Sequence, residues 1–252
     1  MERKAENIGY RMKFDLHTHT VFSHGTGTIE ENLLAARAKG VMRVGITDHG
    51  PGHLFFGIKR KDIPVMRREI DRLKDIYPDM DVLLGVEANI INKSGWLDVQ
   101  ASEFSLFDYV IAGYHYGVAG VNPLRSALIH GGNLISRKAG GCSKQQMIRN
   151  TELVLSAIHS NDIKILTHPG DKAPVDMLEV AAVCAQKGTW IEINTWHKNL
   201  TENDLKTMAL TDVKFVISSD AHSPDRVGDF IPALKLALAS GLELSRIVNL
   251  EM

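Results

Sequence analysis

The sequence predicts an α/β fold, a barrel of seven parallel β/α units forming a single domain over residues 1–252. Three observations carry this expectation. Short apolar strand runs alternate with helical periodicities along the chain, the pattern of parallel β/α units. No linker, low-complexity tract or internal repeat divides the 252 residues, and their 44% hydrophobic content suffices for one large core. Each strand run also ends in a histidine, an acid or an asparagine, and the C-terminal strand ends are where β/α barrels build their sites. An open doubly wound sheet is the competing architecture. It would usually carry a Gly-rich turn after its first strand, whereas this turn carries histidines.

The opening run Phe14-Asp15-Leu16-His17-Thr18-His19-Thr20, followed by Ser23-His24, begins as a short buried strand. His17 and His19 are spaced by two, so an extended backbone projects both imidazoles from one face, where they can grip one cation. Ile29 to Lys39 has Leu33, Leu34 and Ala38 among charges, an amphipathic helix closed by Gly40. The strand Val41 to Thr47 ends in Asp48-His49-Gly50, and Ile63 to Tyr77 has helical periodicity with Pro78 after it. Val82 to Val86 is a buried strand with Glu87 immediately after it, and Asn92 to Gly95 is a turn between short flanking strands.

Tyr109 to Ala112 is a strand leading through Gly113 and Tyr114 to His115, after which no period holds from Tyr116 to Ser143. A helix begins near Ser143 and includes Thr151 to His159. The strand Ile163 to Thr167 ends at His168, which Pro169 biases to an extended conformation. Met177 to Lys187 is helical, Trp190 to Ile193 is a strand ending at Asn194, and Leu205 to Leu210 is helical. Lys214 to Ile217 is the seventh strand and runs into Ser218-Ser219-Asp220-Ala221-His222, with a last helix over Ile231 to Ser240.

The bulk properties exclude several classes. A formal net charge of −1, with no basic stripe interleaved with aromatics, argues against a nucleic-acid partner or an anionic membrane. Cys142 and Cys184 lie outside any C-x-x-C spacing, which suggests a reducing compartment and no structural zinc knot. Met1 to Arg11 is polar and unlike a signal peptide, and no apolar run approaches the roughly 18–20 residues that span a bilayer. A cytoplasmic protein is expected, with oligomeric state left open.

Seven of the 11 histidines fall at strand ends: His17, His19, His24, His49, His115, His168 and His222. With Glu87 and Asp220 they make nine candidate metal ligands, more than the four or so that one zinc needs. A carboxylate such as Glu87 can bridge two cations, and a pair about 3.5–4 Å apart would activate water for an in-line displacement. Imidazole and carboxylate without thiolate suit zinc, manganese or iron. Asp48 is expected to orient a liganding histidine, as carboxylates often do. His197 is expected at the surface, the alternative being that it reaches the cavity from the sixth strand's loop. Cys142 has no visible base partner, and Gly140-Gly141-Cys142-Ser143-Lys144 lacks the order of a P-loop.

Asp15-Leu16-His17-Thr18-His19-Thr20, Ile46-Thr47-Asp48-His49-Gly50, Gly85-Val86-Glu87-Ala88-Asn89, His168-Pro169-Gly170 and Ser219-Asp220-Ala221-His222 together resemble the motifs of the polymerase and histidinol phosphatase (PHP) superfamily. The Glu87 and His168 segments resemble its small bacterial YcdX-like branch most closely. The resemblance covers roughly Lys13 to Leu250. It implies a distorted (β/α)7 TIM-like barrel with three divalent metal ions. His17, His19, Glu87 and Asp220 would hold one ion. Glu87 would bridge to a second, held by His115 and His168, and His24, His49 and His222 would hold the third. The spacing from His19 to His24 is a residue shorter than that branch leads one to expect.

The implied activity is a metal-dependent phosphatase acting on a small phosphorylated substrate through a metal-bridging hydroxide. The alternatives are a dedicated histidinol phosphatase, from which the motif context leans away, and a metal-dependent nuclease of the same superfamily. A hydrolase of C–N or C–O bonds on a related barrel and a non-catalytic binding module stand further off. Tyr116 to Ser143 is longer than the branch's corresponding loop and holds Arg125, His130, Arg137 and Lys138. It reads either as a mobile lid whose cations meet phosphate or as a solvated insertion or oligomer contact. If it is a lid, replacing Arg125 and Arg137 with Ala raises KM for a phosphomonoester, and unchanged steady-state kinetics removes that role.

Overall fold

The computed structural model describes residues 9–118, 130–135 and 141–252. Seven parallel strands lie in the order β2 (Phe14–Thr18), β3 (Arg43–Ile46), β4 (Asp81–Asn89), β5 (Tyr109–Gly113), β6 (Ile165–Leu166), β7 (Trp190–Asn194) and β8 (Phe215–Ser218). Helices α1 (Ile29–Ala38), α2 (Ile63–Ile76), α3 (Lys144–Ser160), α4 (Met177–Lys187), α5 (Glu202–Met208) and α6 (Ile231–Ser240) surround them. Between β4 and β5 the connection is a 3₁₀ segment, Ala101–Leu106, in place of an α-helix. The expected seven-stranded α/β barrel is therefore the observed fold, nearly closed and irregular at that one crossover.

Local chemistry explains where the elements start and stop. Thr28 and Glu31 form a reciprocal capping box at α1, and Ser143 and Asp176 cap α3 and α4 by accepting from Gln146 N and Glu179 N. Gly188 and Gly241 end α4 and α6 in the left-handed conformation that glycine adopts at little cost. Two cores sandwich the sheet. Along β4, Val82, Leu84, Val86 and Ala88 pack outward under the helices, where Ile63, Met66, Ile70 and Leu73 of α2 are buried. Leu83 faces inward with Leu16, Ile111, Ile165 and Val216, the two-residue alternation of a barrel wall. Tyr109 fills the floor of the barrel and donates to Leu16 O at 2.9 Å. A Cβ on Gly45 would lie 1.7 Å from the Tyr109 hydroxyl, so this ring and that glycine require each other.

Closure between β8 and β2 relies on side chains. One parallel bridge joins Thr18 to Ala221, and His19 N donates to Ala221 O at 2.8 Å. Below it, buried Asn249 accepts from Ile217 N at 3.0 Å and donates to Ile217 O at 2.7 Å and Phe14 O at 2.8 Å. Buried Asp15 accepts from Ser219 N at 3.2 Å and Gly228 N at 2.9 Å. These two side chains satisfy main-chain groups that a continuous ladder would otherwise pair. Two further strands that the sequence reading did not anticipate, β1 (Arg11–Met12) and β9 (Leu250–Glu251), pair antiparallel beneath the seam.

The structure corrects several local expectations. Glu87 lies within β4, which runs three residues beyond the expected Val86 to Asn89. The Ile163–Thr167 run narrows to Ile165–Leu166. Within the aperiodic stretch after Tyr116, residues 130–135 are helical. His130 accepts or shares a 2.7 Å hydrogen bond with the Tyr114 hydroxyl, and Asn133, Gln146 and Asn150 bond one another to tie this helix to α3. Arg125, Arg137 and Lys138 lie outside the described residues. Among the described residues, no helix is long and apolar enough to cross a membrane.

Asn249→Ala would leave the Ile217 and Phe14 groups of the seam without partners. It is expected to lower unfolding free energy by roughly 2–4 kcal/mol in urea titrations, whereas a loss within about 0.5 kcal/mol would show that the seam does not depend on this amide.

Candidate metal centre

The C-terminal ends of the barrel strands gather the nine predicted residues, Glu87 at their centre. Glu87 is fully buried on β4. Its Oε1 lies 2.9 Å from His168 Nε2, 3.3 Å from His115 Nε2 and 3.4 Å from His17 Nε2, and accepts from Thr167 Oγ1 at 2.9 Å. Its Oε2 lies 2.8 Å from His49 Nδ1 and 3.7 Å from His19 Nε2. Asp220 Oδ1 lies 3.1 Å from His19 Nε2 and 3.5 Å from His17 Nε2. The ligand atoms of His19, His49 and His222 form a further group within 4.8 Å of one another. His24 joins that corner by its ring, stacked on His49 at 4.9 Å and edge-on to His222 at 4.1 Å.

Local backbone geometry places these side chains. The chain beyond β3 stays beside β4, with Glu87 N donating to Asp48 O at 3.1 Å and Gly50 N donating to Glu87 O at 2.8 Å, which sets His49 next to Glu87. Gly113 permits His115 and His168 to meet, since a Cβ there would lie 2.2 Å from Thr167 Oγ1 and 3.0 Å from His168 Cε1. His168 and Asp220 have φ of 28° and 50°, and they are the two non-glycine residues with positive φ among those described. Such conformations cost energy and persist where surrounding contacts hold them. For His168 those contacts are its N–H to Glu192 Oε2 at 2.7 Å and its ring against Glu87. They overcome the extended bias expected from Pro169.

Two roles differ from the sequence reading. The Asp48 carboxylate bonds Thr20 N at 2.7 Å, Thr20 Oγ1 at 2.6 Å and Ser23 Oγ at 2.5 Å. It therefore secures the loop carrying His24 and makes no direct bond to an imidazole. The acid that orients a ring is Glu192, whose Oε1 accepts from His17 Nδ1 at 2.7 Å and so turns Nε2 toward Asp220 and Glu87. The sequence signal for Glu192 was an acid between two isoleucines in a buried strand. His197, expected at the surface, lies in the cavity wall with its ring 4.7 Å from His168. A turn made by Asn194 Oδ1, accepting from Trp196 N and His197 N at 2.8 Å each, brings it there.

Burial and charge set the protonation of these groups. Burial alone would raise the Glu87 and Asp220 pKa values, but the histidines around them hold both well below the usual carboxylate range. Burial pushes His19 well below its ordinary value and takes His115 and His24 down to about 3. His17 is also buried, yet Asp220, Glu192 and Glu87 hold its pKa well above the ordinary value. Ionised acids beside neutral imidazoles such as His19, His24 and His115 are the donor states that a cation takes.

The donor set fits divalent metal. Glu87 Oε2 and the Nδ1 atoms of His19, His24, His49 and His115 are buried with no hydrogen-bond partner. His49 Nδ1 and Glu87 Oε2 are among them despite their 2.8 Å separation, because their alignment is not that of a hydrogen bond. Two imidazole nitrogens also face each other at 3.1 Å (His17 and His19) and at 3.2 Å (His115 and His168). Ligands bound at about 2.0–2.2 Å to a tetrahedral ion stand about 3.4 Å apart, close to the spacings around Glu87 and Asp220. Above the ligands lies a cavity of about 360 Å³, rimmed by His53, Phe55, Phe56, Tyr116, Lys172 and Trp196.

Comparison with known proteins bears on the family and the fold. Residues 15–196 match the PHP domain. A probable phosphatase of Shewanella piezotolerans strain WP3 is 30% identical over 256 residues, covering 94% of this chain and 90% of the relative. A probable phosphatase of Shewanella sp. strain MR-4 is 29% identical over 250 residues, covering 93% and 86%. The histidinol phosphate phosphatase of Lactococcus lactis, solved with zinc, L-histidinol and phosphate, has a similar fold at a TM-score of 0.60 and 15% identity, covering 92% of this chain and 95% of that one.

Glu192→Gln keeps the shape of the side chain but removes the charge that orients His17. It is expected to weaken zinc affinity about 10–100-fold, measured by competition with a chelator; an unchanged affinity would deny Glu192 that role.

Proposed function

The chain belongs to the PHP domain family and is a hydrolase, and on that premise we propose that it is a metal-dependent phosphatase of small phosphomonoesters. The centre we propose holds three divalent ions, zinc, manganese or iron. His17, His19, Glu87 and Asp220 hold the first, Glu87 with His115 and His168 the second, and His24, His49 and His222 the third. The observation that carries this reading is the position of Glu87, with one oxygen directed at His17, His115 and His168 and the other at His49 and His19. Ions held there would supply a water-derived nucleophile at neutral pH and neutralise charge on the phosphoryl oxygens.

The chain's own residues supply the rest. Glu192 keeps the His17 Nδ1 proton engaged, which presents Nε2 to the centre. Asp48 anchors the His24 loop through Thr20 and Ser23. Lys172 places a cation at the cavity wall, where it can meet a phosphoryl oxygen. Phe55, Phe56 and Trp196 line the same mouth and reduce the water in contact with a bound ester. A volume of about 360 Å³ suits a phosphate with a modest alcohol, at the small end of ligand pockets.

With manganese or zinc, the purified protein is expected to release phosphate from p-nitrophenyl phosphate and from members of a panel of small phosphomonoesters that includes histidinol phosphate. Chelation removes this activity, and Glu87→Ala lowers kcat/KM by about 10²-fold or more. Full activity in Glu87→Ala, or turnover of single-stranded DNA or amides in place of phosphomonoesters, would overturn the reading.

A further inference from the structure

We infer that His197 is a tenth metal ligand, acting with His168 and Asp220, and that Asp171 is the carboxylate that aims it. The inference rests on the metal-dependent reading of this centre and adds a residue to it. The ligand atoms of His168, His197 and Asp220 lie within 4.8 Å of one another. His197 Nε2 is 3.5 Å from Asp220 Oδ2. That separation is long for a charge-assisted hydrogen bond and close to the roughly 3.4 Å between two ligands of one tetrahedral ion.

The far side of the ring supplies the second argument. His197 Nδ1 lies 3.2 Å from Asp171 Oδ2, within hydrogen-bond reach. A neutral imidazole has one N–H and one lone pair. An acid facing Nδ1 favours the proton on that nitrogen, which leaves the Nε2 lone pair toward Asp220 and the cavity. This is the carboxylate–imidazole–cation arrangement, and Glu192 and His17 repeat it across the same site. Lys172 Nζ shares Asp171 Oδ2 at 2.7 Å and offsets its charge.

The supporting frame is specific to this ring. Asn194 accepts the N–H groups of Trp196 and His197 through one side-chain atom and donates through the other to Asp220 Oδ2 at 3.0 Å. The loop bearing His197 and the acid facing it are therefore fixed by one amide. His168 and Asp220, the other members of the group, are also the two residues held in strained backbone conformations.

The test counts metal directly. Chelator-stripped protein is reloaded with Zn²⁺, desalted and assayed for bound equivalents by elemental analysis, and affinity is measured by competition with a chelator. His197→Ala is expected to lose one equivalent or to bind its weakest ion at least about tenfold less tightly, and Asp171→Asn to weaken that ion by about 10–100-fold. Unchanged stoichiometry and affinity in His197→Ala overturns the inference, including the case where only KM for a phosphomonoester rises and the ring is a substrate contact. If His197→Ala does not fold, Asp171→Asn with His197 in place decides by the same readout. Phosphate release by the wild-type protein is followed in parallel. A His197-dependent ion without hydrolysis removes the phosphatase reading alone, and hydrolysis with full metal content in His197→Ala removes this inference alone.

Discussion

Everything at the mouth of the barrel is arranged around an ionised carboxylate taken out of water. Glu87 is fully buried, and an acid in that position persists as an anion only if positive charge or many donors compensate it. The chain supplies five imidazoles within 3.7 Å of its two oxygens. Two of those imidazoles, His19 and His115, are themselves pressed toward neutrality by burial. A polar cluster of this kind is poor at satisfying itself, and orphaned atoms remain on both the acid and the rings. Divalent cations would resolve that conflict, since they would neutralise the acid and take up the lone pairs in one step.

The cluster depends in turn on how the barrel is closed. His17 and His19 belong to the first barrel strand, and Asp220 follows the last. They meet because the seam is held by Asn249 and Asp15, two buried side chains that take over hydrogen bonds from main chain. Left-handed backbone at His168 and Asp220 then bends the strand ends inward. Both distortions sit where ligands are needed, as expected when local strain is retained for a site. The plain 3.6- and 2-residue periodicities persist elsewhere.

Much of this was legible in the sequence for a simple reason. Parallel strands put every C-terminal end on one face, so a polar residue after an apolar run has its location defined by topology alone. His17, His49, His115, His168 and Asp220 were readable in that way. Glu192 was not, because an acid within a strand has no visible partner until closure of the barrel brings the first strand beside the last two. For His197 the sequence favours the surface over the cavity, because its direction is set by a turn around Asn194, a side-chain effect with no periodic signature. Asp48 was read by its proximity to His49, yet its bonds run across to Thr20 and Ser23. The His168 backbone shows the same limit, since Pro169 supplies a local bias that two buried carboxylates override.

The seam has a consequence for biosynthesis. The histidines of the opening strand are translated about two hundred residues ahead of Asp220, His222 and the stitching Asn249. Until those residues are made, His17 and His19 have Glu87 and Glu192 as partners but lack Asp220 and the seam that closes their pocket. Completion of the site therefore waits for the segment from Asp220 to Asn249, and a product lacking that segment would carry the early histidines without the clasp that assembles them.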